Sequence, residues 1–537
     1  MTTTPGEGSV DPELQPYLAA AAEPDEDSPA ARRAAQEERL ARREEQDAAA
    51  LRELAAAGLL GEVPDEEPDD APQDETAAFV AAAQLDARVD AIYRGIIERA
   101  PEHKVQPSLD RVADVLDLMG EPHRAYPVIH VAGTNGKTST ARMIEALLGA
   151  RGLRTGRFTS PHLHTARERI AIDGAPISRE GFVAAWEDVA PYVGLVDERS
   201  QAAGGPRLSF FEVFTVMAFA AFADAPVDVV VLEVGMGGRW DATNVADAQV
   251  EVLTPISRDH EQWLGSTLAD IANEKVGVIT DRSVVISAHQ DPEVAEIVLA
   301  AAAQHGARLL RAGAELEVVD RSLVVGGQLV SLRTPAALYE DVLVPLHGAH
   351  QADNGLIALA AVEAFFGGAA LDPVAVEVGM TAATSPGRLE VLRSSPLVVV
   401  DAAHNSGGAA AAREALVETF GLERVVGVVA AMADKDHEGI LAELEPLLDE
   451  VVVTTISLPR AAAAEDLAEV ARDVFGEDRV HVRERLDEAI DEAVALAEAG
   501  NEGAMTSALD AGATVGVLVV GSVLLAAEAR ALFGKTA

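Results

Sequence analysis

Runs of Val, Leu and Ile alternate with amphipathic stretches along most of the chain after Phe79. The continuous apolar runs predict strands covered on both faces, as in a parallel sheet; they are Val128–Ala132, Val227–Val234, Val250–Ile256, Val284–Ser287, Leu397–Asp401, Val425–Ala430, Val451–Ile456 and Val515–Val520. Helical patterns lie between them, at Ala141–Ala150, Leu356–Phe366, Gly408–Phe420 and Glu488–Ala499. This alternation predicts an α/β protein with two doubly wound sheets.

The pattern divides the chain into three predicted parts. Residues 1–78 are predicted to be a disordered acidic extension, because residues 1–76 hold 21 Asp and Glu against 6 Arg and no Lys. Within it, Ala30–Leu60 has a helix-forming composition but only a thin apolar stripe. A break near Thr384 separates a larger domain, residues 79–384, from a smaller one, residues 385–537.

Composition narrows the possible partners. The 88 acidic and 42 basic residues give a formal charge of −46, which opposes binding to nucleic acid or to an anionic membrane. Cys is absent, so disulfides and thiolate chemistry are excluded. The N-terminal segment lacks the features of a signal peptide, and no apolar run is long enough to span a bilayer. A cytoplasmic protein is expected.

A glycine loop follows the first predicted strand and precedes a helix. It reads Gly133-Thr134-Asn135-Gly136-Lys137-Thr138-Ser139. The glycines let the backbone approach an anion, the helix dipole stabilises it, and Lys137 can reach the β- and γ-phosphates of a nucleotide. Thr138 or Ser139 offers a hydroxyl to Mg²⁺. The usual first glycine is replaced by Val131, so the motif is a shortened variant, and an ordinary helix-capping turn is the alternative.

Three more polar residues follow predicted strands or strand-like approaches. They are Ser160, Glu233 and His260. Because the carboxyl ends of strands in a doubly wound sheet meet at one crevice, they are expected to surround one Mg²⁺ beside the nucleotide. The alternative is structural, with Glu233 capping the glycine-rich turn after it and His260 capping a helix.

Motifs along the chain resemble one family. In order, they are HVAGTNGKTS, FTSPHL with ERI, LEVGMGGRWDATN, TPISRDHEQWLG, IANEKVGVI, HGAHQADN, PGRLE, VDAAHN and ADKD. From Val128 to Arg530 the chain resembles the bifunctional dihydrofolate synthase/folylpolyglutamate synthases of the Mur ligase superfamily. One departure is Thr138, which stands where many folate enzymes have Gly and where ligases of peptidoglycan precursors have Thr or Ser.

The resemblance implies roles for individual residues around ATP and metal. ATP phosphates would bind Gly133 to Ser139, and one or two Mg²⁺ ions would bind Ser160, Glu233 and His260, with Lys275 carbamylated to reach a second ion. Asn354 would contact adenine and Arg388 a phosphate, while Asp401 and His404 would contact the nucleotide from the second domain. Lys137, Lys275 and His260 are the implied catalytic residues.

The resemblance also implies the substrates. Phe211, Glu212, Arg239 and Asp241 would form the pteridine-binding region, and Asp434, Lys435 and Ser522 the glutamate site. The implied reaction joins L-glutamate to dihydropteroate, to reduced folates or to both through an acyl phosphate, in a monomer that acts on small molecules only. Two alternatives stay open: a ligase acting on a UDP-linked cell-wall precursor, and a nucleotide-binding protein without catalysis.

Overall fold

The computed structural model describes residues 75–99, 108–502 and 515–535. The predicted acidic extension and its Ala30–Leu60 helix lie outside these residues, except that residues 75–78 begin the first described helix, Glu75–Ile97. The described residues from Ala81 onward pack as one compact unit.

The described part of the chain alternates strands with helices. Its strands are β1 Val128–Ala132, β2 Thr155–Phe158, β3 Ile170–Ile172, β4 Ala175–Pro176, β5 Val229–Glu233, β6 Val250–Leu253, β7 Val284–Ser287, β8 Arg308–Arg311, β9 Glu317–Val324, β10 Gly327–Arg333, β11 Leu338–Val344, β12 Glu390–Ser394, β13 Leu397–Asp401, β14 Arg424–Val429, β15 Glu450–Val453, β16 Val480–Val482 and β17 Val515–Val520.

The α-helices fall mostly between these strands. They are α1 Glu75–Ile97, α2 Asp110–Leu118, α3 Lys137–Ala150, α4 Arg179–Ala202, α5 Phe210–Asp224, α6 Glu261–Leu264, α7 Leu268–Lys275, α8 Pro292–Gln304, α9 Ala349–Phe365, α10 Pro373–Ala382, α11 Ser406–Phe420, α12 His437–Leu444, α13 Ala464–Phe475, α14 Leu486–Glu502 and α15 Val523–Leu532.

The largest sheet has eight strands in the order β4-β3-β2-β5-β1-β6-β7-β8. The six strands from β2 to β8 in this order run parallel, and the β3–β4 hairpin extends one edge antiparallel. Both faces are covered: Val230 and Leu232 of β5 pack in one apolar cluster, whereas Val229 and Val231 pack in another. A strand buried on both sides explains the unbroken apolar runs in the sequence.

A second sheet of six strands has the order β12-β13-β17-β14-β15-β16. Five of its strands are parallel and β12 is an antiparallel edge. Val398 and Val400 face one cluster and Val399 faces the other, so this sheet is also covered on both sides. The predicted α/β class with two parallel-rich sheets is therefore confirmed. The predicted boundary at residues 384/385 falls between the sheets, but the division into domains stays a prediction.

A small antiparallel sheet, β11-β10-β9, was not predicted. Its strands carry many polar residues, and β9 has no buried position, so they lack the continuous apolar runs that mark the other strands. The structure also shortens a predicted strand. β6 ends at Leu253 rather than at Ile256, because the Pro255 carbonyl turns to accept the backbone N–H groups of Thr134 at 2.9 Å and Asn135 at 3.3 Å.

Candidate active site

The glycine loop joins the central strand β1 to helix α3. Gly133 and Gly136 have φ angles of 140° and 85°, values that favour glycine. A Cβ atom on Gly133 would meet the Thr254 hydroxyl at 2.0 Å, and one on Gly136 would meet Asn354 Oδ1 at 2.7 Å. Side chains are thus excluded at both positions, and α3 begins at Lys137 directly after Gly136. The N-terminal amides and dipole of a 14-residue helix stand at the loop, as a phosphate site requires.

Two lysines share one carbonyl of this loop. Lys137 Nζ donates to the Gly133 oxygen at 3.1 Å and to the Thr134 oxygen at 2.9 Å, while Lys275 Nζ donates to the same Gly133 oxygen at 2.7 Å. Burial lowers the pKa of both, and that of Lys275, which the Lys137 charge lowers further, falls to about 7. When both amines are protonated their charges repel each other, and an anion bound in the loop would offset this repulsion.

Glu233 ends strand β5 next to the loop and is only 2% exposed. The Thr138 hydroxyl donates to its carboxylate oxygens at 2.8 and 3.0 Å, and the Ser160 amide donates to one of them at 3.2 Å. Burial raises the pKa of Glu233, although the Lys137 charge and the Thr138 hydrogen bond oppose the shift. The carboxylate therefore lies among the residue types that hold Mg²⁺ and phosphate.

His260 stands at the start of the short helix α6 in the left-handed region, with φ of 55°. Burial lowers its pKa to about 3, against the attraction of Asp259, so its imidazole is neutral and able to act as a ligand. Among the described residues, no group of three or more His, Asp or Glu is arranged to hold a metal ion. The predicted set contains only two such residues, and its other members are Ser160 and Lys275.

Asp259, next to His260, connects the loop region to the second sheet. Its carboxylate accepts Lys435 Nζ at 2.6 Å and Asn405 Nδ2 at 3.1 Å, and His404 Nε2 lies 3.5 Å away. Burial alone would raise the pKa of Asp259, but the hydrogen bond from His404 and the charge of Lys435 hold it well below its usual range. Asp259 is thus an ionised, buried anchor for residues from the far side of the cavity.

Asn405 makes a second connection, directly to the glycine loop. Asn405 and Asn135 exchange side-chain amide hydrogen bonds of 3.0 and 3.1 Å. The Asn405 carbonyl oxygen also accepts the Gly408 amide at 2.8 Å, which caps helix α11. The phosphate loop and the first turn of α11 are therefore tied together through one side-chain pair.

These contacts surround a cavity of about 390 Å³. Every predicted site residue lines it except Arg239, an exposed residue of the glycine-rich turn. The lining residues from the glycine loop and the first sheet are Gly133 to Ser139, Ser160, Phe211, Glu212, Glu233, Asp241, His260, Lys275 and Asn354; those from the second half are Arg388, Asp401, His404, Asp434, Lys435 and Ser522.

Some lining residues already have structural partners. Glu212 closes a capping box with Ser209 at the start of α5 and pairs with Arg111 at 2.8 Å. Asp401 accepts the backbone amides of Leu389 and Ala403 at 2.9 and 2.8 Å, which fixes the loop that carries Arg388. These carboxylates shape the wall of the cavity through the backbone.

Other lining residues also have partners. Ser522 caps helix α15 by accepting the Leu524 amide at 3.2 Å, and Asp434 pairs with Arg460 at 3.2 Å. The Phe211 ring packs against Gly235, where a Cβ atom would meet it at 2.4 Å. Asn354 Nδ2 donates to Gln351 at 3.1 Å, and Asn354 Oδ1 lies beside Gly136.

Asp259 and Asn405 were not singled out from the sequence. Both lie inside motifs that carry the resemblance, TPISRDHEQWLG and VDAAHN. Their partners lie 146 to 270 positions away along the chain, and no local pattern signals such pairs. The only available signal was the position of each polar residue in the loop that follows an apolar strand.

The phosphate loop and the cavity between two parallel sheets indicate a nucleotide-dependent ligase, and the family models agree. The model for the Mur ligase middle domain matches residues 199–362, and the model for the Mur ligase glutamate ligase domain matches residues 387–509. These matches place the chain in the Mur ligase superfamily.

Similar proteins narrow the class. A Mycobacterium tuberculosis protein named dihydrofolate synthase/folylpolyglutamate synthase is 50% identical over 450 residues, 82% of this chain and 92% of that protein. The Bacillus subtilis protein of the same name is 33% identical over 380 residues, 70% and 87% of the two chains. The chain therefore belongs to the dihydrofolate synthase/folylpolyglutamate synthase family, as the motifs predicted.

Solved structures agree with this membership. The M. tuberculosis folylpolyglutamate synthase complexed with ADP matches with a TM-score of 0.80 and 49% identity, covering 84% of this chain and 99% of that one. An Escherichia coli relative in complex with DHPP and ADP matches with a TM-score of 0.69 and 30% identity, covering 84% and 97%. The predicted class of enzyme, a ligase, is confirmed. Among the described helices, none is long and apolar enough to cross a bilayer.

Proposed function

We propose that this chain is an ATP-dependent ligase that adds L-glutamate to dihydropteroate, to the γ-carboxylate of reduced folates, or to both. The products are dihydrofolate and folylpolyglutamates, with ADP and phosphate. The observation that carries the proposal is that the glycine loop and the glutamate-site candidates Asp434, Lys435 and Ser522 line one cavity. The names of the relatives and the ADP in two related structures support the same assignment.

The phosphate chemistry is assigned to the loop and its two lysines. Loop amides and Lys137 would bind the β- and γ-phosphates of ATP, with Lys137 exchanging its hold on the Gly133 and Thr134 carbonyls for phosphate oxygens. The γ-phosphoryl group passes to the substrate carboxylate, which breaks the bond to ADP and forms an acyl phosphate. The amino group of glutamate then attacks the acyl carbon, and phosphate leaves with one of the original carboxylate oxygens.

The predicted metal site fits Mg²⁺ in its chemistry. Glu233 supplies a buried carboxylate, and Ser160 and Thr138 supply hydroxyls at the phosphate end of the cavity. Mg²⁺ in such sites uses one or two carboxylates, waters and substrate phosphates, so a cage of several acidic residues is not needed. Bound there with His260, the ion would neutralise charge that develops on the transferring phosphoryl group.

Lys275 is the proposed site of carbamylation. Only an unprotonated amine reacts with CO₂, and burial lowers the pKa of Lys275 to about 7, so a large fraction of this amine is neutral near pH 7. The carbamate would replace a cation beside Lys137 with an anionic oxygen ligand for a second metal ion. This change would also remove the repulsion between the two ammonium groups.

Residues on the side of the second sheet would bind the incoming glutamate. The Lys435 ammonium already binds a carboxylate, that of Asp259, at 2.6 Å, and the α-carboxylate of glutamate is a ligand of the same chemistry. Asp434 and Ser522 lie on the same wall, and Arg388 and His404 would contact the nucleotide from that side. A ring of contacts between the two sheets would exclude water from the acyl phosphate, which hydrolyses easily.

The enzyme would act as a monomer on three small molecules, ATP, L-glutamate and a pteridine-bearing carboxylate. We assign the boundary at residues 384/385 to a hinge between an ATP-binding domain and a glutamate-ligase domain. A cytoplasmic location, where ATP and glutamate are available, completes the proposal.

Lys137→Ala tests the proposal in purified protein. We expect glutamate incorporation to fall by at least about a thousandfold, since electrostatic stabilisation of the transferring phosphoryl group is lost. The matched control is Lys535→Ala, because Lys535 contacts Val391 and Glu390 away from the cavity. Full activity in Lys137→Ala would contradict the proposal.

The same assay separates the alternatives. ADP release that requires a UDP-linked precursor rather than a pteridine would favour a cell-wall ligase. Tight ATP binding without turnover of either acceptor would favour a protein that has lost catalysis.

A further inference from the structure

Four polar side chains form a buried row behind the cavity. Glu251 and His130 are 0% exposed, Thr243 is 0% exposed, and Asp241 is 3% exposed. Only Asp241 is among the described residues that line the cavity. His130 and Glu251 lie in strands of the first sheet, and Thr243 lies in the short 3-10 helix Ala242–Val245. An unpaired polar group is costly at such buried positions, so their arrangement requires a physical reason.

The row is built by the register of the sheet. His130 of β1 and Glu251 of β6 are direct partners in neighbouring parallel strands, and His130 Nδ1 lies 3.6 Å from Glu251 Oε2. On its other side, His130 Nε2 lies 2.8 Å from the Thr243 hydroxyl. That hydroxyl lies 2.5 Å from Asp241 Oδ1, which links strand β1 to the cavity wall in two steps.

The donors in this row have one consistent direction. Asp241 accepts the backbone amides of Thr243 at 3.0 Å and Met236 at 2.9 Å, in addition to the Thr243 hydroxyl. Three donors around one side chain match an ionised carboxylate. Thr243 has a single hydroxyl proton and gives it to Asp241, so its oxygen must accept from His130. His130 Nε2 is therefore the donor to Thr243, and His130 Nδ1, which lies 3.6 Å from Glu251 Oε2, has no hydrogen-bond partner among the described residues.

The row opposes the effect of burial on Asp241. Burial raises the pKa of Asp241, and the hydrogen bonds from Thr243 and Met236 and the charge of His130 lower it. The Thr243 hydroxyl is the one side-chain donor among these, and its direction depends on His130. Removing it would leave a buried carboxylate with one donor fewer.

We propose that Thr243 and His130 are positioning residues that hold the Asp241 carboxylate ionised and oriented toward the pteridine-bearing substrate. The inference rests on the proposed function, in which Asp241 belongs to the pteridine region, and adds residues that act on the substrate through Asp241. A pteridine ring presents adjacent N–H donors, which an ionised carboxylate in a fixed orientation accepts. Phe211 and Trp240 also line the cavity and supply aromatic surface for a flat ring.

Two substitutions of Thr243 separate its hydroxyl from its shape. Thr243→Val keeps the branched shape and removes the hydroxyl, whereas Thr243→Ser keeps the hydroxyl and removes a methyl group. We expect Thr243→Val to raise the KM for dihydropteroate about tenfold or more, the size of a lost hydrogen bond to a charged group. The KM for ATP should stay within about twofold of wild type, and Thr243→Ser should restore most of the pteridine affinity.

The control is Thr454→Val. Thr454 is equally buried, and its hydroxyl has no hydrogen-bond partner among the described residues. The Thr454→Val substitution removes a buried hydroxyl away from the cavity and should leave the KM values for dihydropteroate and ATP unchanged. As a second variant, His130→Leu should raise the KM for dihydropteroate in the same direction as Thr243→Val, since the hydroxyl then loses the donor that orients it.

The outcomes are distinct. Equal effects of Val and Ser at position 243, or equal changes in the KM values for ATP and pteridine, would overturn the inference and leave the proposed function intact. A wild-type protein that turns over no pteridine carboxylate would overturn the proposed function, and the inference would fall with it.

Discussion

The amide pair between Asn135 and Asn405 allows a direct test of how the two sheets cooperate. The pair consists of two hydrogen bonds between neutral groups, at 3.0 and 3.1 Å. With a net value of about 0.5–1.5 kcal/mol for each bond, the two together should stabilise the joined arrangement by about 1–3 kcal/mol, a factor of roughly 5 to 150. We expect Asn135→Ala and Asn405→Ala each to lower kcat/KM for ATP by about this factor.

A double-mutant cycle isolates the pair. If the two side chains act together, the double variant should lose no more activity than the worse single variant. Asn405 also caps helix α11, so its removal should cost about 1 kcal/mol of stability as well. Ser178→Ala removes a comparable cap from helix α4, outside the residues that line the cavity, and gives the size of a cap effect alone. Effects on kcat/KM that simply add, within about 0.5 kcal/mol, would refute the coupling.

Three further predictions follow from other contacts. Gly136→Ala should raise the Kd for ADP at least about tenfold, because φ at Gly136 is 85° and the new Cβ would meet Asn354. The control is Gly149→Ala, whose new Cβ has no described atom within 4 Å and which should leave the Kd unchanged. Equal effects of the two substitutions on the Kd, measured by calorimetry, would contradict the steric argument. Stimulation of turnover by bicarbonate should increase from about pH 6 to pH 8, because the Lys275 amine becomes neutral as pH rises through its pKa of about 7. Lys275→Arg should abolish the stimulation by bicarbonate. Stimulation that falls as pH rises would count against carbamylation. Asp197→Ala should lower the free energy of unfolding by about 3 kcal/mol, because it removes the carboxylate that lies 2.7 Å from the buried guanidinium of Arg99. The ADP affinity of this variant should not change. An unaltered denaturation midpoint would disprove the structural role of Asp197.

The sequence predicted the strands whose apolar runs are continuous. β1, β7, β13 and β17 begin and end where the pattern placed them, because a strand covered on both faces is apolar along most of its length. The antiparallel strands β9 to β11 were missed because polar residues interrupt their apolar runs.

The sequence also predicted only those site residues that local patterns mark. Lys137, Glu233 and His260 follow strands, so the topology of a doubly wound sheet brings them to one crevice, and sequence order was enough to group them. The ion pair between Asp259 and Lys435 joins residues 176 positions apart, and its geometry depends on how the two halves pack. His130 was hidden for another reason: it is one polar residue in an otherwise apolar strand, and its partner Glu251 lies in another strand.

An oxygen-transfer measurement tests the central claim most directly. Dihydropteroate labelled with ¹⁸O in its carboxylate would be incubated with the protein, ATP, Mg²⁺ and L-glutamate, and the released phosphate analysed by mass spectrometry. An acyl phosphate intermediate predicts one ¹⁸O atom in each phosphate, formed in step with the glutamate adduct and dependent on Lys137. Phosphate without the label, or ADP release that does not require a pteridine carboxylate, would contradict the account.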